Sequence, residues 1–402
     1  MHATPPSTRR HDIDALRVIA FGLLILYHVG MFYVAEWGWH VKSAHLAEWL
    51  QWPMMVVNRW RMPLLFLLSG VAVSFLLPKR GPAGFAWSRT VRLGLPLLFG
   101  MAVVVPPQAW LQAVSNGAFS GGYGSFLQAY FSFAEWPEGA FDGAHVGITW
   151  NHLWYLPYLL TYSLVLALLL PLVEGRAGRA LATRFRGLRG WRLLTLPAIP
   201  LVLSAWLLTV PSTHDLVSDW ENHVRYFSVF LFGYWLGRDA GAWAELKRLR
   251  WRALGAAAAM LAVLCLLWLT VDSSSPDWQK AIGDLATYGY QWTALAAVLG
   301  WGHHALNRPF RWLPYANEAV YPWYVLHQTL IVVAGYGLSR LALGPVWEPL
   351  LVLATTIGGC LLLHELLIRR IGWLRPLFGL KRLHRADEQD GPGLSAAVRA
   401  AE

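Results

Sequence analysis

The chain has 402 residues, of which 56% are hydrophobic, 14% aromatic and only 14% charged. A soluble domain carries about 25% charged residues. Together with a mean hydropathy of +0.40, this excludes an ordinary soluble globule, a coiled coil, a disordered chain and a disulfide-stapled secreted module. The formal net charge of +10 would suit nucleic acid in a soluble protein; in a membrane protein it is read from where the charges fall, and nucleic acid is not an expected partner.

Apolar runs of about 20 residues, enough to cross a bilayer, recur at 15–34, 54–77, 93–112, 152–173, 193–211, 224–240, 253–271, 283–303, 318–336 and 348–368. With Met1 placed in the cytoplasm, only Lys42, Arg59, Arg61, Arg225, Lys280 and Arg340 fall outside, leaving 27 of the 33 Lys and Arg residues inside. That positive-inside bias puts both termini in the cytoplasm. The predicted fold is all-α: a polytopic membrane protein of about ten transmembrane helices. Its organisation reads as a cytoplasmic arm over 1–14, a transmembrane domain over 15–370, and a tail over 371–402 that is basic and then disordered. Within the domain, 113–151 has neither Lys nor Arg and reads as an extracytoplasmic cap. The first run is a retained helix, because Phe32, Tyr33 and Trp37 stand where a signal-peptide cleavage site needs small residues. Cys265 and Cys360 lie inside apolar runs and offer no metal-ligand spacing.

The chemistry begins in the first helix. Eleven residues carry the chain from Arg17 to His28, about three turns and about 16 Å along the axis, so the two share a face. Asp14 lies three residues before Arg17, nearly on that face. Intramembrane ionisable groups are costly and usually face a cavity as ligands or catalysts; the alternative is an Asp14–Arg17 interface anchor with a histidine hydrogen-bonded in the core. The second helix opens on Arg59-Trp60-Arg61-Met62-Pro63, against the charge bias. These arginines either clamp an anionic group or snorkel to headgroups. Ser69-Gly70 reads as a close helix-packing point rather than a nucleophile.

The following inner loop reads Ser88-Arg89-Thr90-Val91-Arg92, with Pro96 beyond. Two arginines three apart at a helix start suit a phosphate group, helped by the helix N-terminus, or are ordinary inside charge. The fourth helix opens with His152 and Tyr155 on one face near the outer mouth. The ninth carries Glu318, Tyr321, Tyr324 and His327-Gln328, a polar stripe in an apolar span. His223, His303, His304 and His364 read as interface or packing residues. Trp37, Trp39, Trp49, Trp52, Trp136 and Trp150 crowd the outer side, where indoles stack on sugars or, by default, populate the membrane interface.

Asp14-x-x-Arg17 with ten residues before His28, Phe66-x-x-Ser69-Gly70, Arg89-x-x-Arg92-x-x-x-Pro96, His152-x-Trp154-Tyr155-Leu156 and Tyr321-x-x-Tyr324-x-x-His327 together resemble the acyltransferase 3 family of integral-membrane acyltransferases. The likeness runs from Asp14 to about Arg370. Within it, Tyr27-His28-Val29-Gly30-Met31-Phe32, Trp39-His40-Val41-Lys42-Ser43 and Trp60-Arg61-Met62-Pro63 are similar to the branch that succinylates periplasmic glucans.

The resemblance implies a multi-pass enzyme of the bacterial cytoplasmic (inner) membrane, with no permanently bound cofactor. It would move a succinyl or acetyl group from cytoplasmic acyl-CoA to a hydroxyl of an extracytoplasmic carbohydrate. Arg17, Arg89 and Arg92 are then the residues for the CoA phosphates. His28 and Asp14 are the catalytic candidates, with His28 as base or as the site of an acyl intermediate. Arg61, Ser69, His152, Tyr155, Tyr324 and His327 are the substrate-binding candidates, Arg61 for a succinyl carboxylate. A proton-coupled transporter or lipid-linked sugar exporter, using the intramembrane His and Tyr residues as a relay, is the rival reading. The lack of repeat symmetry and of midplane carboxylates argues against it.

Overall fold

The computed structural model describes residues 9–208, 213–272 and 274–382, and no strand is formed among them. Residues 1–8 of the expected arm, 209–211 of the fifth expected span and 383–402 of the expected tail lie outside the described residues. In chain order the helices are α1 (His11–Tyr33), α2 (Gln51–Arg89), α3 (Leu95–Phe99), α4 (Pro106–Ser115), α5 (Tyr123–Phe131), α6 (Tyr155–Leu168), α7 (Leu170–Val173), α8 (Arg176–Arg186), α9 (Trp191–Thr195), α10 (Ile199–Leu207), α11 (Trp220–Leu236), α12 (Ala240–Thr270), α13 (Asp277–Ala305), α14 (Leu313–Leu338) and α15 (Gly344–Leu363). The ten expected intervals are mostly helical where they are described, with short breaks at Val34, Val105, Leu169, Leu208, Gly237 to Asp239 and Val271.

Among the described residues, four helical stretches suffice by length and composition to cross a membrane: His11–Tyr33, Glu48–Val104, Ala240–Thr270 and Gly344–Ile368. The pair Arg176–Arg186 and Trp191–Leu207, bent by 114°, makes up to five. Polar residues explain why α14 falls short: buried His327 and Gln328 and half-buried Glu318 lower its hydropathy.

One expectation is corrected here. No long irregular loop separates 54–77 from 93–112: helical backbone runs from Glu48 to Val104 with one kink between the two intervals, at Gly81. The break inside α2 is Gly81, at φ 67° and ψ 167°, a conformation that glycine adopts without penalty. Pro82 follows, with its φ preset for a helical first turn. Arg89 is therefore seven residues past the restart and Arg92 sits in a π-helical segment, Thr90–Gly94. Neither arginine stands at a helix N-terminus.

The chain divides into two compact units. The first comprises Met1–Leu23, Met55–Ala86 and Tyr162–Asn317. The six-residue connection 271–276 makes α12 and α13 antiparallel neighbours, and Gly300 lets them approach: a Cβ there would lie 2.4 Å from the Leu246 carbonyl oxygen. The contact between α2 and α11 is closer still. A Cβ on Gly70 would meet the Phe230 oxygen at 1.9 Å, and one on Gly233 the Leu67 oxygen at 2.0 Å. The small residue beside Ser69 thus does what small residues do at helix crossings. Phe66, Tyr162, Tyr226 and Phe230 fill the space beside that crossing.

The second unit comprises Leu24–Met54, Trp87–Thr161 and Glu318–Glu402. Its described residues include two hydrophobic clusters. One gathers Val29, Phe32 and Tyr33 of α1 with Leu111, Ile331, Val332 and Val352. The other gathers Ala109, Phe126, Tyr130, Ala140, Phe141 and Ala144, with Trp110, Phe119 and Trp136 against them. The segment 113–151 therefore has a core of its own, which a simple turn would lack.

Candidate active site

The site residues divide between the units. Asp14, Arg17, Arg61 and Ser69 belong to the first; His28, Arg89, Arg92, His152, Tyr155, Tyr324 and His327 belong to the second. Only the second brings several together around one point.

In the first unit, Asp14 accepts from Arg9 at 3.2 Å and pairs with Arg17 at 3.5 Å. Arg61 is buried, with 5% exposure. His303 bonds Asp12 at 2.8 Å, as expected of a structural histidine, and Arg10 closes the same carboxylate at 2.7 Å. A cavity of about 600 Å³ in this unit is lined by Leu77, Pro78, Leu170, Arg179, Arg186 and Arg238 among others, and by none of the predicted site residues.

In the second unit, His28 Nδ1 lies 2.8 Å from His327 Nε2. The ring planes differ by 2° with centroids 5.0 Å apart. At so short a nitrogen–nitrogen distance that spacing is an in-line N–H···N bond, not face-to-face stacking. The direction of the bond follows from its neighbours. His327 Nδ1 sits 2.8 Å from the Tyr324 carbonyl and 3.1 Å from that of Trp323. A carbonyl only accepts, so Nδ1 carries the proton and Nε2 of neutral His327 is an acceptor. His28 must then donate from Nδ1, which puts its own lone pair on Nε2. The assignment comes from the bonding network, as tautomers do.

His152 is fixed in the same way. Its Nε2 donates to the Val325 carbonyl at 3.1 Å, leaving Nδ1 to accept from Gln108 at 3.4 Å. The Tyr324 hydroxyl donates to the His152 carbonyl at 2.8 Å, and the rings of Tyr155 and Tyr324 meet edge-on at 6.1 Å. The Tyr321 hydroxyl donates to the Arg92 carbonyl at 3.0 Å, tying the arginine segment to α14. The other end of the stripe is ionic: Glu318 takes Arg375 at 3.3 Å and Arg369 at 3.5 Å.

Sequence reasoning missed a second row of buried polar groups. Gln328 Nε2 donates to His40 Nε2 at 2.7 Å and to Gln108 Oε1 at 3.1 Å. His40 Nδ1 donates to Gln112 Oε1 at 2.7 Å and faces the Asp142 carboxylate at 3.2 Å. Gln112 Nε2 donates to the other Asp142 oxygen at 3.0 Å. Gln108 Nε2 donates to Thr329 at 2.5 Å, and Asn151 donates to Gln108 at 3.2 Å. Every donor nitrogen in the row meets at least one acceptor, as a buried polar network requires.

The loop after α1, which carries His40, is held by one ammonium. Lys42 Nζ donates to the carbonyls of Met31 at 2.8 Å, Trp37 at 2.9 Å and Val34. Two of these are among the last carbonyls of α1 or just beyond it, where a helix leaves acceptors unfilled and favours a cation. Burial pulls the ammonium below the usual lysine range. Beyond Lys42, Ser43 Oγ donates to the buried Glu348 at 2.7 Å, and the Ser43 amide to the Phe32 carbonyl at 3.0 Å. The branch motif Trp39-His40-Val41-Lys42-Ser43 was the one signal in the sequence that pointed to this loop.

The acyltransferase domain of the acyltransferase 3 family matches residues 10–365. Glucans biosynthesis protein C from Escherichia coli O81 (strain ED1a) is 24% identical over 405 residues, covering 96% of this chain and 98% of that protein. The same protein from Escherichia coli O6:K15:H31 and from Escherichia coli strain K12 matches at 24% identity with the same coverage. No solved structure matches the chain.

Proposed function

Since the chain belongs to the acyltransferase 3 family and is an acyltransferase of groups other than aminoacyl, we propose that it moves a succinyl or acetyl group from cytoplasmic acyl-CoA to a glucan hydroxyl outside the bacterial cytoplasmic membrane. In this reading about ten helices cross the bilayer, both termini are cytoplasmic, and 113–151 is the extracytoplasmic cap. The glucan acceptor is supported by the name of the full-length relatives, and the membrane by the long apolar helices.

The observation that carries the chemistry is the directed His28–His327 bond. With Nδ1–H committed to His327, Nε2 of His28 is the atom that takes a proton. The acceptor hydroxyl gives its proton to Nε2 as its oxygen attacks the thioester carbonyl carbon. The tetrahedral oxyanion collapses, the C–S bond breaks, and the leaving thiolate recovers the proton as free CoA thiol. His327 stabilises the transient imidazolium through the same Nδ1–H bond, as an orienting partner does for a histidine base. An acyl-histidine route would use the same nitrogen. Arg17, Arg89 and Arg92 are assigned to the CoA phosphates and Asp14 to holding Arg17. Arg61 is assigned to the succinyl carboxylate, whose burial needs a cation to offset desolvation.

Purified protein in nanodiscs, given succinyl-CoA or acetyl-CoA and gluco-oligosaccharides, should yield an acylated sugar and free CoA thiol by mass spectrometry. His28→Ala should remain folded and inserted and lose product by a factor of about 10² to 10⁴, the usual contribution of a general base. Full turnover in that variant would remove His28 from the mechanism.

A further inference from the structure

Trp39 differs from the tryptophans that behave as interface residues. Trp49 and Trp347 are 67% and 65% exposed. Trp39 is partly buried against the cluster of Val29, Phe32, Leu111 and Ile331. Its ring lies 6.4 Å from His28 and 5.4 Å from His40, and Phe32 meets it edge-on at 6.1 Å. It sits on the loop that Lys42 pins, so its position is set before any ligand arrives. A rigid, partly exposed indole beside the nitrogen-bearing ring of the catalytic histidine is poorly explained by lipid alone.

Beyond His40 lies Asp142, whose side chain is 65% exposed. One carboxylate oxygen accepts from Gln112, the other faces His40. Each retains lone-pair capacity, since an ionised carboxylate has about four acceptor positions. Its backbone is fixed too, because the Asp142 amide donates to Gln112 Oε1 at 3.2 Å and the preceding Phe141 is buried in the cap's core.

We infer that Trp39 and Asp142 form the acceptor's sugar subsite, Trp39 as platform for the C–H face of a pyranose and Asp142 as acceptor for its hydroxyls; this rests on the carbohydrate reading above. A pyranose ring has an apolar face whose C–H hydrogens are drawn to the negative face of an indole, and a rim of hydroxyls that donate to carboxylates. Stacked on Trp39, a sugar presents a rim hydroxyl toward His28. His40 is a positioning residue: it links the Asp142 carboxylate to Gln328, the neighbour of His327 in α14.

The test separates platform from packing. The full-length protein in nanodiscs is assayed with succinyl-CoA and gluco-oligosaccharides, and KM is taken for donor and acceptor separately. Trp39→Ala and Trp39→Leu should both raise the acceptor KM about tenfold, with the donor KM unchanged, and Trp39→Phe should recover most of it. Trp39→Leu keeps an apolar packing volume without a π-face, so it keeps the question answerable where Trp39→Ala fails to fold. Asp142→Asn should raise the acceptor KM by a smaller factor, about threefold. A Trp39→Leu protein as good as Trp39→Phe, or an unchanged acceptor KM in all variants, overturns the subsite. Wild-type protein that acylates another hydroxyl compound but never gluco-oligosaccharides overturns the glucan reading, and the subsite with it, a result distinct from loss in the variants alone.

Discussion

In the first unit, the buried acids Asp12 and Glu245 are held in ion pairs. Asp12 accepts from Arg10 and His303, and Glu245 takes Arg248 at 2.6 Å and the Gly190 amide at 2.7 Å. In the second unit, the buried row of His28, His327, His152, His40, Gln108, Gln112 and Gln328 contains no carboxylate until it reaches Asp142. The first arrangement fixes charge and resists protonation change. The second fixes only hydrogen-bond direction, through backbone carbonyls that cannot reverse. A base needs the latter: its tautomer must be set while its charge stays free to change. The two units thus predict opposite phenotypes when a buried polar group is removed.

The sharpest contrast is His327. In His327→Ala the Nδ1–H of His28 loses its acceptor, both tautomers become available and the imidazolium loses its partner. Turnover should fall by about 10² to 10⁴, with a smaller loss of stability, about 1–3 kcal/mol, from the buried donor left unpaired. The check is kcat/KM for transfer set beside the unfolding midpoint of the same preparation. A variant with wild-type turnover would make the His28–His327 bond structural, and the second unit would then differ from the first only in the kind of bond it uses.

Asp12→Asn should behave in the reverse sense. Breaking a buried ion pair typically costs 3–5 kcal/mol; Arg10 and His303 retain 20% and 21% side-chain exposure, which puts the expected loss at the lower end, about 3 kcal/mol. Turnover per folded molecule should be kept. Denaturant unfolding together with activity normalised to folded protein would show it, and a stable but inactive variant would move part of the chemistry into the first unit.

How far this contrast could be read in advance depends on the kind of residue. His28 and His327 were legible because each interrupts an apolar helix, and periodicity places such a residue on a face. The helical intervals were legible for the same reason. His40, Gln108, Gln112 and Asp142 were not: they lie on a loop, on a short helix and in the cap, and only tertiary folding makes them neighbours. Arg89 and Arg92 were misplaced at a helix start although Gly81-Pro82 carried the signal for where the helix restarts. The pairing of Asp12 with His303, 291 positions apart, left no trace in either local pattern. Local pattern reveals which residues are costly; it does not reveal which of them meet.

The smallest of these effects belongs to Lys42, and it joins stability to function within the second unit. Its ammonium donates to three carbonyls at and beyond the end of α1. Lys42→Met keeps the aliphatic stem but leaves those acceptors without their cation. Hydrogen bonds to charged groups contribute about 1.5–3 kcal/mol. Since burying the ammonium is itself costly, the net loss should be about 2 kcal/mol. The loss should be local, because the loop 34–47 is also tied by Ser43 to Glu348 and to the Phe32 carbonyl. Hydrogen exchange should therefore rise in 34–47 and leave α12 and α13 unchanged. Loosening that loop frees Trp39 and His40 while leaving His28 and His327 bonded, so the acceptor KM should rise before kcat falls. Were kcat to fall first, with exchange unaltered in the loop, the ammonium would be serving the reacting groups directly rather than holding the loop beside them.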